Sequence, residues 1–332
     1  MRETMELTKN GLVQHVIENG GRIVPLIIPA EHTNGTGIFN PSILNDDGKL
    51  IMNMRHCQVT IYHSELNVYE HEWGPLTYLN PENDITLTTT NYFCELDNEY
   101  NITKYSKVDY SKLNVPPEWH FIGLEDARLV RWNGKLYQSG VRRDTTPDGQ
   151  GRMELSELEV EEGCAKEISR FRIRAPGDDN TYCEKNWMPV IDTPYTYVKW
   201  CNPTEVVQVD VEKGTSTSTN YGQVTPRNYD IRGGSQVIPF GDYYVCIAHE
   251  SRLFRSEQDR KNAIYRHLFV VWDKHFNVIT YTEPFSFMNT HIEFSAGMCL
   301  FNSKVLITFG VQDNSAYLLE IPVEVFKDLL WK

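Results

Sequence analysis

The chain has 332 residues and a formal net charge of −13, with 18 Tyr and 14 Phe. That length buries a large core, as two domains or as one large β domain, and the aromatics favour strands. The acidic balance argues against a nucleic-acid or anionic-membrane surface and leaves room for a local basic pocket only.

The seven cysteines are scattered without a CxxC pair. That pattern fits reduced, mostly buried thiols of a cytoplasmic protein better than a disulfide framework or a zinc site. Met1 to Leu12 is charged and polar, with no signal-peptide core, and no apolar run reaches membrane-spanning length. The patterns Asn34-Gly35-Thr36 and Asn101-Ile102-Thr103 are therefore read as chance matches to a glycosylation site.

In chain order, residues 1 to 37 read as a lead-in with one strand, Ile23 to Ile28. Phe39 to Leu44 runs into the turn Asp46-Asp47-Gly48-Lys49 and then into Leu50 to Arg55, an apolar hairpin with a basic end. A strand from Val59 to His63 follows. Residues 73 to 118, rich in Asn, Pro, Thr and Tyr, read as a long connection with some strand pairing, Tyr92 to Leu96 being one candidate.

Gly123-Leu124-Glu125-Asp126-Ala127-Arg128-Leu129-Val130 then sets two acids and a base before an apolar run. The turn Trp132-Asn133-Gly134-Lys135 leads to Leu136–Val141, which ends on Arg142, Arg143 and Asp144. The start of one strand and the end of its hairpin partner share one end of the hairpin, so Glu125, Asp126 and Arg128 belong near Arg142 and Arg143. A carboxyl group beside guanidiniums suits acid-assisted transfer to or from a phosphate. A surface hairpin with solvated ion pairs is the alternative.

The plan recurs. Trp187 to Val190 and Tyr195 to Trp200 flank Thr193-Pro194; Gln236 to Pro239 and Tyr243 to His249 flank Phe240-Gly241-Asp242; Met298 to Phe301 and Val305 to Gly310 flank Asn302-Ser303-Lys304. About five hairpins at intervals of roughly 50 to 85 residues, each preceded by a polar cluster, predict an all-β propeller with the clusters gathered at one end of its channel. A β-sandwich would give short strands without equivalent clusters. Helical periodicity is confined to Val323–Trp331 and to Ser256–Asn262.

These clusters, in order, resemble the glycoside hydrolase family 130 phosphorylases and the β-1,2-mannosyltransferases of glycosyltransferase family 108. The matching pieces are Asn40-Pro41 with Arg55, Glu125-Asp126-Ala127-Arg128, Lys185-Asn186-Trp187, Arg232-Gly233-Gly234, His249, Tyr265-Arg266, and Glu293-Phe294-Ser295-Ala296-Gly297 followed by Gly310 and Asp313. They span roughly residues 39 to 315. One departure is Ala127, where the family usually has Pro, which would fix φ and remove a donor. The resemblance implies one five-bladed β-propeller domain over 1–332, with an irregular insertion and a short C-terminal helix. It implies inverting transfer of mannose or a related hexose, with Asp126 as the proton donor acting through a hydroxyl of the bound sugar. A phosphorylase needs cations to hold phosphate but no second carboxylate to activate water. Arg142 and Arg143 follow Asp126 at about the distance of a phosphate-binding Arg in the family. They alternate along a strand, so only one faces a given side.

Each residue has a plainer reading. Asp126 could pair with Arg128, Glu125 could be a structural acceptor, and Lys185 could be solvated beside Glu184. His249 could be a satisfied structural His, and Asp313 could cap a turn. Arg55, Arg232 and Tyr265 would contact sugar or phosphate. His120, His267 and His291 lack metal-ligand spacing, and neither metal nor cofactor is expected; phosphate, a sugar phosphate or a nucleotide sugar would enter as substrate. The expected partners are a small-molecule sugar donor and a glycan acceptor, with no nucleic acid and no membrane, and a homo-oligomer is left open. Phosphorylase and transferase remain unseparated. A hydrolase on the same fold would use Glu250 or Glu293 as an extra acid, and a glycan-binding propeller would have no turnover.

Overall fold

The computed structural model describes residues 11–33, 35–57, 59–60, 68–69, 76–78, 86–177, 181, 183–221, 231–255 and 261–331. Five antiparallel sheets form the blades of a β-propeller. Blade I comprises β2 (Ile38–Asp46), β3 (Lys49–Cys57), β7 (Leu87–Leu96) and β8 (Ile102–Lys107), with β9 (Phe121–Ile122) parallel to β7. A small ribbon of β4 (Val59–Thr60), β5 (Val68–Tyr69) and β6 (Leu76–Tyr78) is inserted in it. Blade II is β10 (Leu124–Trp132), β11 (Lys135–Arg142), β12 (Arg152–Glu161) and β13 (Cys164–Arg172). Blade III is β14 (Met188–Pro189), β15 (Thr196–Cys201), β16 (Thr204–Asp210) and β17 (Thr215–Tyr221). Blade IV holds β18 (Arg232–Gly233), β19 (Ile238–Phe240), β20 (Tyr243–Arg255), β21 (Lys261–Asp273) and β22 (Val278–Tyr281). Blade V is β23 (Glu293–Phe301), β24 (Lys304–Val311) and β25 (Ser315–Pro322), completed by β1 (Arg22–Leu26).

The lead-in strand of the sequence reading is thus the outer strand of the last blade, paired from Arg22↔Glu320 to Leu26↔Ala316. This pairing joins an early segment of the chain to a late one and completes the last blade as a four-stranded sheet, closing the ring. The C-terminal helix α2 (Val323–Trp331) and a helix α1 (Leu12–Glu18) bury Phe326, Leu330, Leu12 and Val16 in the core between blades IV and V. Residues 256–260 of the other expected helix lie outside the described residues, and its last two, Lys261 and Asn262, start β21 instead. Of the expected Val59–His63 strand, Val59 and Thr60 are strand and the rest lies outside the described residues. Among the described residues no helix is long and apolar enough to cross a membrane.

One side chain pins the centre. The buried Gln236 donates through Nε2 to Ser42 Oγ (3.0 Å), to the Ile43 carbonyl (3.0 Å) and to the Leu129 carbonyl (2.9 Å), and its Oε1 accepts from the Met298 N–H (3.0 Å). A residue of blade IV therefore satisfies backbone groups of blades I, II and V that the tapering axis would otherwise leave unpaired.

Candidate active site

Three inner strands share one irregularity. The register slips between Phe39 and Ser42 in β2, between Glu125 and Arg128 in β10, and between Ser295 and Gly297 in β23. Such bulges re-aim side chains. Asn40 (φ 45°) and Asp126 (φ 48°) occupy the first two in the left-handed region, which Asn and Asp tolerate better than other side-chain-bearing residues. The bulges turn them toward each other, and Asn40 Nδ2 donates to Asp126 Oδ1 at 2.8 Å.

Arg55, on β3, donates to the same Asp126 oxygen at 2.9 Å and lies 3.4 Å from Glu125. Arg128 donates to the Asp126 carbonyl (2.6 Å), to the Gly234 carbonyl (2.9 Å) and to Asn186 Oδ1 (3.4 Å), and its guanidinium faces the Phe294 ring at 5.5 Å. It is therefore a buried strut between blades II, III and IV as much as a partner of the acid. Burial pushes the Asp126 carboxyl up, but Arg55, Arg128 and the Asn40 hydrogen bond outweigh it and hold the group at about 2. Burial pulls the Arg128 guanidinium down to about 10 against the attraction of Asp126. Burial acts the same way on Arg55, but there Asp126 and Glu125 prevail and raise it. The group is an ionised carboxylate between charged guanidiniums.

The adjacent arginines at the end of β11, Arg142 its last residue and Arg143 just beyond it, divide. Arg142, 2% exposed, turns behind the blade, where its Nε donates to Glu154 at 2.8 Å and its Nη1 to Asp144 at 3.4 Å. Of the two, Arg143 is the one beside the acids, its Nε lying 3.7 Å from Glu125 Oε1. Arg143 is steadied by the Gly149 carbonyl (2.9 Å) and by Cys183 Sγ (3.1 Å). Burial raises the Cys183 thiol, and Arg143 and Lys185 both oppose that rise, so the sulfur sits beside two cations.

The remaining candidates approach the same mouth. His249 is held well below its usual range by burial, then by His267, Lys185, Arg232 and Arg128, and is a neutral imidazole. Tyr265 is pushed up to about 12 by burial, Asp313 and Asp126, with Arg232 opposing. Lys185 is exposed and is not the partner of Glu184, which accepts from Trp187 Nε1 (3.0 Å), Thr181 (2.9 Å) and Lys199 (3.3 Å).

The two extra acids weighed for a hydrolase are placed elsewhere. Glu293 is fully buried and accepts from the N–H groups of Phe287, Met288 and Thr290 and from the Thr290 hydroxyl at 2.5–2.9 Å, holding a loop. Glu250 pairs in register with Arg266, while His249 and Tyr265 pair with His267 and Ser251, so Glu250 projects from the other face of the strand.

A polar relay unforeseen in the sequence supports the acids. Tyr110 donates to Gln138 (2.6 Å), Gln138 to Asn53 (2.7 Å), and Asn53 to Asn91 (2.9 Å). Asn91 then donates to the Leu124 carbonyl (2.8 Å) and Asn53 to the Ala127 carbonyl (3.3 Å), gripping the backbone on both sides of Glu125–Asp126. The available signal was a polar residue inside an apolar strand, Ile51-Met52-Asn53-Met54.

No protein-family model matches the chain, and no curated protein sequence matches it. Solved structures do. A β-1,2-mannobiose phosphorylase from Listeria innocua, in complex with β-1,2-mannobiose, is 12% identical over 89% of this chain and 92% of its own, with a TM-score of 0.55. A GDP-Man-dependent mannosyltransferase from Leishmania mexicana is 13% identical over 97% of this chain and 92% of its own, with a TM-score of 0.57. A mannose phosphorylase from the same organism, in complex with phosphate ion, is 12% identical over 96% and 95%, with a TM-score of 0.51. At these identities the likeness is one of fold: the five-bladed propeller is shared along nearly the whole chain.

Proposed function

We propose that this chain is a carbohydrate-active enzyme that transfers a hexosyl group, mannose or a close relative, with inversion. The observation that carries the reading is the ionised Asp126 in a cluster that also holds Arg55 and Arg143. A neutral glycan needs no such cations, whereas a phosphate, free or attached to a sugar or nucleotide, does. Glu293 and Glu250 are engaged or turned away, which weighs against water activation by either.

An ionised Asp126 is ready to accept a proton, which fits glycoside formation. The acceptor oxygen attacks the anomeric carbon from the face opposite the phosphate. The carbon–phosphate oxygen bond breaks and the phosphate leaves with the electron pair, its charge met by Arg143 and its cationic neighbours. The acceptor's proton passes to Asp126 through a hydroxyl of the donor sugar, the route implied by the resemblance to family 130. In the reverse direction phosphate attacks and Asp126 must first be protonated. The fold neighbours include both a phosphorylase and a nucleotide-sugar transferase, so both donor types belong in the test. A cytoplasmic setting is part of the proposal, in keeping with seven free thiols, five of them buried.

The test is a donor screen with mannose 1-phosphate, GDP-mannose and other nucleotide sugars against a panel of sugar acceptors. Release of phosphate or of nucleotide is expected, and Asp126→Asn should lower it by roughly 10²- to 10⁴-fold. Equal turnover by the variant, or sugar released from glycosides without phosphate or acceptor, would overturn the reading.

A further inference from the structure

Two segments meet beside Asp126, and one carboxylate joins them. The first is 118–123, which runs into the acids; the second is the turn 143–149, which carries Arg143. Asp144, 6% exposed, accepts the Gly123 N–H at its Oδ2 (2.9 Å), and its carbonyl accepts the Glu118 N–H (2.8 Å). Gly123 itself has φ 95°, and a Cβ there would lie 2.7 Å from the Thr89 carbonyl, so the close approach of this segment to Thr89 excludes a side chain at the position. At the far end of the clasp the Trp119 indole lies on Gly149 (φ 67°), where a Cβ would come within 2.4 Å of the ring. The Gly149 carbonyl is the one that holds Arg143.

Arg142 does not saturate Asp144. Its stronger bond goes to Glu154 at 2.8 Å against 3.4 Å to Asp144, and Asp144 Oδ1 and Arg142 Nη2 are both buried without a hydrogen-bond partner. A pair kept only for stability would be expected to close that second bond. The geometry instead leaves the carboxylate, one residue after Arg143, aimed at the Gly123 N–H, three residues before Asp126.

We infer that Asp144 is a positioning residue. It sets the separation between the proton-accepting carboxylate of Asp126 and the anion-holding guanidinium of Arg143. This rests on the proposed transfer function for its catalytic readout, but not for its structural one. Displacements near 1 Å at such a spacing cost about 10²-fold in rate.

The experiment compares Asp144→Ala with Asp144→Asn in the full chain. Asp144→Asn keeps an oxygen for the Gly123 N–H and should retain turnover within about tenfold, one hydrogen bond's worth. Asp144→Ala should lose turnover by about 10²-fold while inorganic phosphate still binds, since Arg143 keeps Gly149 and Cys183. Unchanged turnover in Asp144→Ala, or phosphate binding lost in step with turnover in both variants, would overturn the inference, the second marking a general structural role. Crystal structures of both variants decide the matter even if the wild type turns over no donor. Movement of Gly123–Asp126 relative to Arg143 in the Ala variant alone supports the clasp; superimposable segments refute it.

Discussion

The front and the back of blade II use the same residue types to opposite ends. On the front, Arg55, Arg143, Glu125 and Asp126 make contacts of 2.9–3.7 Å, and the side chains of Glu125 and Asp126 stay 18% exposed. On the back, the buried Arg142, Glu154 and Glu167 and the part-exposed Arg170 and Arg172 form a lattice in which Glu154 accepts from Arg142 and from Arg172 at 2.8–3.2 Å and Arg170 reaches Glu167 at 2.6 Å. Consecutive residues at one strand end, Arg142 and Arg143, feed the two sides. The back closes its two glutamates with arginines, though Arg142 Nη2 keeps no partner; the front leaves its carboxylates part-exposed, where the proposed anion would add. A buried carboxylate costs least when guanidiniums enclose it, so how fully the carboxylates are enclosed separates scaffold from site better than residue type does.

The largest effect expected from breaking this contrast is on stability. Arg142→Met would leave Glu154 with Arg172 and Asp144 with the Gly123 N–H, and should cost about 3 kcal/mol in denaturant unfolding. Arg143→Met should cost only about 1 kcal/mol, because Glu125 keeps Arg55 at 3.4 Å. Its effect belongs to binding: loss of a charge-assisted bond should weaken an anionic donor by roughly 10- to 100-fold. Equal unfolding midpoints for the two variants would remove the distinction between front and back.

What the sequence disclosed follows the same line. Turn chemistry at Asp47-Gly48, Asn133-Gly134 and Gly241-Asp242 marked the hairpins of blades I, II and IV, because those residues accept positive φ. The charged cluster Glu125–Arg128 could be located at a strand's start, where charged residues signal an exposed end, but its bulge could not. The division of Arg142 from Arg143 could not, because the deciding partner, Glu154, arrives on the next strand, 12 residues on. Closure by β1 was equally hidden: its partner β25 lies at the other end of the chain, and no local pattern couples the two. Gln236, Asn53 and Glu293 look like ordinary polar residues until the blades bring their partners together.

Blade IV offers a pH-dependent form of the comparison. His249 is buried on the side of Lys185, Arg232 and Arg128, and the His267 ring, 6.3 Å from it, packs among Phe285 and Phe287 with neither ring nitrogen hydrogen-bonded. Burial lowers His267 from 6.5 to about 3. The unfolded chain then binds its proton first, so this contribution to stability is complete above pH 6.5 and is lost as the pH falls toward 3. His267→Leu gives up no hydrogen bond and should flatten the melting temperature over that window, with little change at pH 7.5. An unchanged slope would assign the acid sensitivity to other groups.

The smallest effect separates the contributors to the front itself. Asp126 is held down by Arg55 first, by Arg128 next and by the Asn40 hydrogen bond after them. Asn40→Gly accepts the same positive φ and removes only the last, so the carboxyl should rise from about 2 toward its ordinary 3.8 by about one unit or less. The carboxylate would remain ionised at neutral pH, and turnover in the glycoside-forming direction at pH 7 should change by only about threefold, well under the worth of one charge-assisted bond. Carbon-13 titration of the Asp126 carboxyl reads the shift without relying on activity. A rise larger than that expected from the Asn40 bond alone would mean that Asn40 also holds Arg55 in place, and that the bulge of blade I orders the whole cationic cluster around Asp126.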